Sequence, residues 1–208
     1  MNAQPAWQPS LFGFNEAPTF DATFARAQRS ELAEGAWLEH TPGWLRGHLA
    51  VFDALAAGLG WHSASRPMYE RTVEVPRLMA SLAKDGDGHP LLWPMSAALS
   101  ERYGVVFDRI TFAYYRDGND SVAWHGDYTL REREDDAVVA TVSVGEPRKF
   151  LLRKTGAGGR EKSLAYSLGW GDLMVMGGTC QRTWQHCVPK VAHAAPRIAI
   201  MFRSSEYL

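Results

Sequence analysis

Arg197-Ile198-Ala199-Ile200-Met201-Phe202-Arg203 alternates strictly between two kinds of residue. A period of two puts Arg197, Ala199, Met201 and Arg203 on one face of a strand and Ile198, Ile200 and Phe202 on the other. The apolar face predicts packing between sheets, with the arginines meeting in a barrel mouth or in water. A half-exposed edge strand is the plainer alternative. Two guanidiniums on one face also suit the bidentate grip of a dicarboxylate.

Outward from this strand, similar short runs recur: Asp172 to Met176, Ser163 to Leu168, Phe150 to Arg153, Val138 to Val144 and Ile110 to Tyr115. Glycine, proline and charged turns separate them, which predicts a sandwich or barrel rather than a parallel sheet. Before residue 105 the pattern changes. Leu45 to Leu59 has helical spacing, and a second helix is expected over Pro94 to Tyr103, stopped by Gly104. Arg71 to Val75 reads as a strand halted by Pro76, and Asp85 to Pro90 as a loop. Asp21 either starts a short helix or lies on an extended approach to a sheet. The first 20 residues or so read as an irregular arm tacked down by Trp7, Phe12 and Phe14. The fold class expected is α+β, mainly β, in a single domain over 1–208: arm and helices over about 1–104, strands over about 105–208.

At 208 residues and 46% hydrophobic, the chain can bury a real core. A net charge of −1 writes no general attraction to a polyanion into the total. The two cysteines, Cys180 and Cys187, form no CxxC pair and exclude a disulfide framework or structural zinc site. Free thiols, no signal-like N-terminus and no membrane-length apolar run lead to a cytoplasmic, membrane-free expectation.

The chemistry-bearing stretch is Trp124-His125-Gly126-Asp127. On extended backbone, His125 and Asp127 leave the same face, offering an imidazole and a carboxylate of the three ligands of an open ferrous site. His186, in Trp184-Gln185-His186-Cys187, is the candidate third ligand, with His193 as rival. Arg148, Lys149, Arg153, Lys154, Arg160 and Lys162 surround Gly156-Ala157-Gly158-Gly159 with one acid, Glu161. This predicts a basic hairpin suited to phosphates, against the alternative of an ordinary solvated hairpin.

Taken in series, these motifs resemble the AlkB family of Fe(II)- and 2-oxoglutarate-dependent dioxygenases. The resemblance runs from about 105 to 203, through Tyr115, His125-Gly126-Asp127, Val142-Ser143-Val144-Gly145, Arg148-Lys149-Phe150, Gly171 to Gly178, Trp184-Gln185-His186 and Arg197 to Arg203. It implies a double-stranded β-helix (jelly roll) with a nucleotide-recognition lid, and Fe(II) held by His125, Asp127 and His186. Arg197, helped by the Tyr115 hydroxyl, would take the distal carboxylate of 2-oxoglutarate, with Arg203 near the chelating one. With O2, decarboxylation of the cosubstrate would yield the oxidant that hydroxylates an N-alkyl group, whose hemiaminal collapses.

The implied activity is demethylation of alkylated bases by a monomer, in DNA rather than RNA. Arg77, Trp93, Arg148, Lys149, Arg153 and Lys154 are the candidates for nucleic-acid contact. Two family asparagines are replaced by Ala113 and Ala199, and the tyrosine-rich hairpin expected after Val75-Pro76-Arg77 by Leu78 to Pro94. The other readings are the same chemistry on RNA or a protein side chain, and a nucleic-acid-binding module with a vestigial iron site.

Overall fold

A computed structural model describes residues 16–68, 71–82, 88–126, 136–156 and 162–207. Eight strands make the jelly roll. They are β7 (Arg109–Tyr115), β8 (Val122–His125), β9 (Val139–Gly145), β10 (Arg148–Lys154), β11 (Leu164–Leu168), β12 (Asp172–Gly178), β13 (Trp184–Val188) and β14 (Arg197–Arg203), numbered after the elements that precede them. The small sheet has the order β11-β10-β13-β8, and the large one holds β12-β9-β14-β7 at its centre. The chain therefore changes sheet at every connection except the β10–β11 hairpin, and every pairing is antiparallel. That is the doubled-over hairpin of a jelly roll.

The N-terminal half is less helical than its sequence predicts. It adds β2 (Gln28–Glu31) and β3 (Ala36–Thr41) to one edge of the large sheet, and β5 (His62–Met68) and β6 (Arg71–Ser81) to the other. The short β1 (Thr19–Phe20) and β4 (Leu45–Arg46) pair with each other. Extended chain, not a helix, thus leads into Asp21, whose carboxylate accepts from the Thr23 and Ala25 amides.

The helix expected from Leu45 begins later, as α1 (His48–Gly58). Gly47 sets its start with a left-handed φ of +61°, where a Cβ would meet the Glu16 carbonyl at 2.5 Å. Helix α2 (Leu92–Tyr103) begins two residues before the expected Pro94. Proline fits there because first-turn amides have no intrahelical partner to lose. The left-handed Gly104 ends the helix.

Pro76 does not stop its strand; β6 runs on to Ser81. The β5–β6 register shifts between Ser63/Leu78 and Ser65/Glu74, so Val75, Pro76 and Arg77 bulge. Pairing with β7 begins only at Leu78. A residue without an N–H is tolerated where neither ladder needs one.

Strand β14 shows why the alternation matters. Ile198, Ile200 and Phe202 pack with Val51, Phe52 and Leu55 of α1 and Leu92, Met95 and Leu99 of α2 in one core, beneath the helices. The apolar face thus lies on the helix-covered side of the large sheet, not between the sheets. Ala199 joins the second core, which fills the sandwich with Leu38, Val139, Phe150, Leu152 and Met176. The arginine face consequently looks inward.

Candidate active site

Strands β8 and β13 place His125 and His186 directly opposite each other. Opposed residues of an antiparallel pair share a face, and these imidazoles have ring centroids 4.3 Å apart. Phe150 of β10 stacks on His186 at 5.3 Å and 27°. The Nδ1 of His125 lies 2.8 Å from the Ala123 carbonyl. A proton held there would fix the tautomer and turn the lone pair of Nε2 toward any metal the ring took up. Asp127, the third expected ligand, lies outside the described residues, and no group of three potential ligands occurs among those described. His193 is exposed beyond β13 and does not line the cavity.

The two histidines open onto a cavity of about 230 Å³ between the sheets, lined also by Tyr115, Arg197, Arg203 and Arg77. Arg197 is 2% exposed. Its Nη2 donates to Ser143 Oγ at 2.7 Å, while Nε and Nη1 have no hydrogen-bond partner among the described residues. The guanidinium carbon lies 5.3 Å from the Tyr115 ring centroid. Burial pulls the Arg197 pKa below its ordinary value; Tyr115 opposes the shift and Arg148 adds to it. A buried cation with two unpartnered nitrogens is costly unless an anion completes it. Arg203 donates to the Thr111 hydroxyl at 2.9 Å from the other end of the same strand.

These donors fit an iron centre with a dicarboxylate cosubstrate. The two imidazoles, joined by the carboxylate of Asp127 if it turned the same way, would make a nitrogen and oxygen set that leaves positions open. The unpartnered guanidinium nitrogens suit an anion such as a carboxylate. Ser143, Thr111 and Phe150 also belong to the site, beside Arg197, Arg203 and His186. Their strand parity was the available signal, since each stands an even number of residues from an inward neighbour on its strand.

Residues 49–203 match the 2OG-Fe(II) oxygenase superfamily. The chain belongs to that superfamily. Within it, relatives of this chain include AlkB homologues. The Mus musculus alpha-ketoglutarate-dependent dioxygenase alkB homolog 3 is 31% identical over 140 residues, 63% of this chain and 49% of the mouse protein. The Arabidopsis thaliana DNA oxidative demethylase ALKBH2 is 28% identical over 196 residues, 73% of this chain and 60% of that protein. The chain thus spans between about half and three fifths of these relatives. The solved structure of OsALKBH1 covers 85% of the chain with a TM-score of 0.58 at 15% identity, a likeness of fold.

On this 2OG oxygenase scaffold the expected nucleic-acid residues scatter. Arg77 reaches the cavity from β6, with its Nη1 3.4 Å from the Ser121 carbonyl. Trp93 packs on the core beneath α2, away from the cavity. Arg148 is no surface cation: it is 2% exposed, its Nη1 and Nη2 donate to three backbone carbonyls, and its Nε has no partner among the described residues. Lys149 is exposed, and Lys154 pairs with Glu34 at 2.8 Å. Arg153 lies 4.2 Å from the Trp124 ring centroid and donates twice to Gln185 Oε1, at 3.0 and 3.2 Å. Arg160 and Glu161 lie outside the described residues. Among the described residues no helix is long and apolar enough to cross a membrane.

Proposed function

We propose that the chain is a 2-oxoglutarate-dependent dioxygenase that removes alkyl groups from nucleobases, with DNA as the substrate polymer. One observation carries the reading most: the buried Arg197 guanidinium, unpaired on two nitrogens, in the same cavity as two opposed histidines. Bound Fe(II) and 2-oxoglutarate supply the oxidising power, with O2 as co-reactant. His125, Asp127 and His186 hold the metal. Arg197 and Tyr115 bind the carboxylate remote from it, and Arg203 faces the nearer one. Apolar walls at Val139, Met176 and Val188 exclude water from the reacting methyl group.

The names of the mouse and Arabidopsis relatives support both halves of the reading, dioxygenase and DNA demethylase. The β5–β6 hairpin, which brings Arg77 to the cavity, is the natural lid. Arg153 stacked on Trp124, beside the exposed Lys149, offers a flat cationic surface for the polymer. The protein acts as a monomer.

The test follows methyl loss from single-stranded DNA containing 3-methylcytosine, with Fe(II), 2-oxoglutarate and ascorbate and with His186→Ala as control. Loss by the wild type alone is expected. Succinate without methyl loss would move the substrate to RNA or protein. Neither product would leave a binding module with a vestigial site.

A further inference from the structure

Arg148 opens β10 beside an exposed lysine, yet it is 2% exposed. No side-chain carboxylate among the described residues pairs with it; the nearby Asp120 carboxylate is taken by Arg116 at 2.7 and 2.9 Å. Instead Nη1 donates to the Asp117 carbonyl at 2.8 Å, and Nη2 to the carbonyls of Asp120 and Pro189 at 2.9 Å each. Asp117 and Asp120 belong to the turn that leads from Tyr115 into β8, the strand of His125. Pro189 directly follows β13, the strand of His186. One guanidinium therefore ties together the ends of both histidine-bearing strands. Its carbon also lies 5.6 Å from the Tyr115 ring centroid, so Tyr115 has one guanidinium from β10 and one from β14 against it.

We propose that Arg148 is a positioning residue of the cosubstrate site, acting through Tyr115 and the 117–120 turn. The inference rests on the 2-oxoglutarate reading above. Arg148 does not line the cavity, so its effect must pass through groups that do. Only a planar fork can serve three carbonyls in fixed directions while keeping a flat cation near the ring. A lysine ammonium keeps the charge and loses that geometry.

Arg148→Lys is expected to weaken 2-oxoglutarate binding roughly tenfold, the scale of one charge-assisted hydrogen bond. The readout is an anaerobic titration of the Mn(II)-loaded protein, well below the melting temperature. Tyr115→Phe is expected to weaken binding similarly, and the double variant by less than about twofold more, because the two residues act as one unit. A merely structural arginine would leave affinity unchanged or give effects that multiply, and either result overturns the proposal. A wild type that takes up no cosubstrate removes the oxygenase reading and this inference together. A wild type that binds, with an Arg148→Lys protein that binds equally well, removes only the inference. Should the lysine variant not fold, wild-type hydrogen exchange decides. Amides 116–121 should exchange more slowly with 2-oxoglutarate bound, and unchanged rates overturn the clamp.

Discussion

Ala199 of β14 lies directly across the ladder from Ala113 of β7, and both line the cavity. These are the two positions where the chain departs from the asparagines of the family it resembles. The departures are therefore one paired change, which leaves a methyl-lined wall beside the Arg197 guanidinium. Filling that wall should compete with the cosubstrate directly. Ala199→Leu is expected to weaken 2-oxoglutarate binding tenfold or more. The stability cost should stay below about 1 kcal/mol, since the added methylenes enter a cavity rather than a packed core. Titration and urea unfolding on the same preparation check both halves. A large loss of stability would mean that the wall is already filled.

Arg197 should show stability and function pulling in opposite directions. A buried guanidinium with two unpartnered nitrogens is a burden on the free protein. Arg197→Met, of similar length and apolar, is expected to leave the protein as stable or to stabilise it by up to ~3 kcal/mol. Its affinity for 2-oxoglutarate should fall about a hundredfold, the worth of a charge-assisted bidentate contact. Urea unfolding without ligand and a cosubstrate titration provide the comparison. Destabilisation of the methionine variant would mean that Arg197 already has a partner.

The two histidines make the sharper chemical test. Each removal, His125→Ala or His186→Ala, should abolish succinate formation while keeping a folded protein, because alanine keeps the backbone pairing of β8 with β13. Metal uptake measured after desalting should fall with activity. A variant that retains bound Fe(II) at full occupancy would exclude that histidine from the centre.

The jelly roll was legible because six of its eight strands are short, largely apolar runs bounded by glycine, proline or charged turns, and β14 alternates strictly. Strands β8 and β13 were not legible as strands: Trp184-Gln185-His186-Cys187-Val188 spends its inward positions on site residues, so the apolar alternation that marks a strand is missing. Strand β3 hid for a related reason, since Glu39 is buried, at 4% exposed, and looks polar in the sequence. Arg148 misled because composition grouped it with its basic neighbours. Parity argued otherwise: Arg148, Phe150 and Leu152 share the buried face of β10, while Lys149 is exposed. His125 and His186 stand out in the sequence by residue type and motif; their direct opposition on β8 and β13 depends on long-range pairing, which no local pattern encodes.

Glu39 ties α2 to the large sheet, away from the chemistry. Its Oε1 accepts from Arg102 Nη2 at 2.8 Å and from the Tyr103 hydroxyl at 2.7 Å. Burial, with Glu39 adding, raises the Tyr103 pKa, so the phenol stays a donor. Arg102→Ala would leave a buried carboxylate with the phenol as its remaining side-chain donor. Arg102 is itself about a third exposed, so the expected loss is ~1–3 kcal/mol, below that of a fully buried pair. The KM for 2-oxoglutarate should not move. A shifted KM with unchanged urea midpoint would contradict a purely structural role for this cluster.

The cysteines set the alkaline limit. Burial pushes the Cys180 thiol up to about 12 and the Cys187 thiol up to about 11, the latter partly offset by Arg153, from an ordinary 9.0. Below the ordinary value both the folded and unfolded states keep the proton, and stability does not depend on it. Above it the unfolded chain loses the proton first, so the folded state binds more protons and stability falls as pH rises. Each thiol should contribute up to ~1.4 kcal/mol per pH unit between about 9 and its folded value. Urea midpoints measured from pH 8 to 11 should therefore be level at first and then decline. Cys180→Ser alters packing as well, so the slope rather than the midpoint is diagnostic: it should be shallower by one proton above pH 9. Equal slopes would mean that Cys180 ionises alike in both states, and that the core between the sheets admits water at that end.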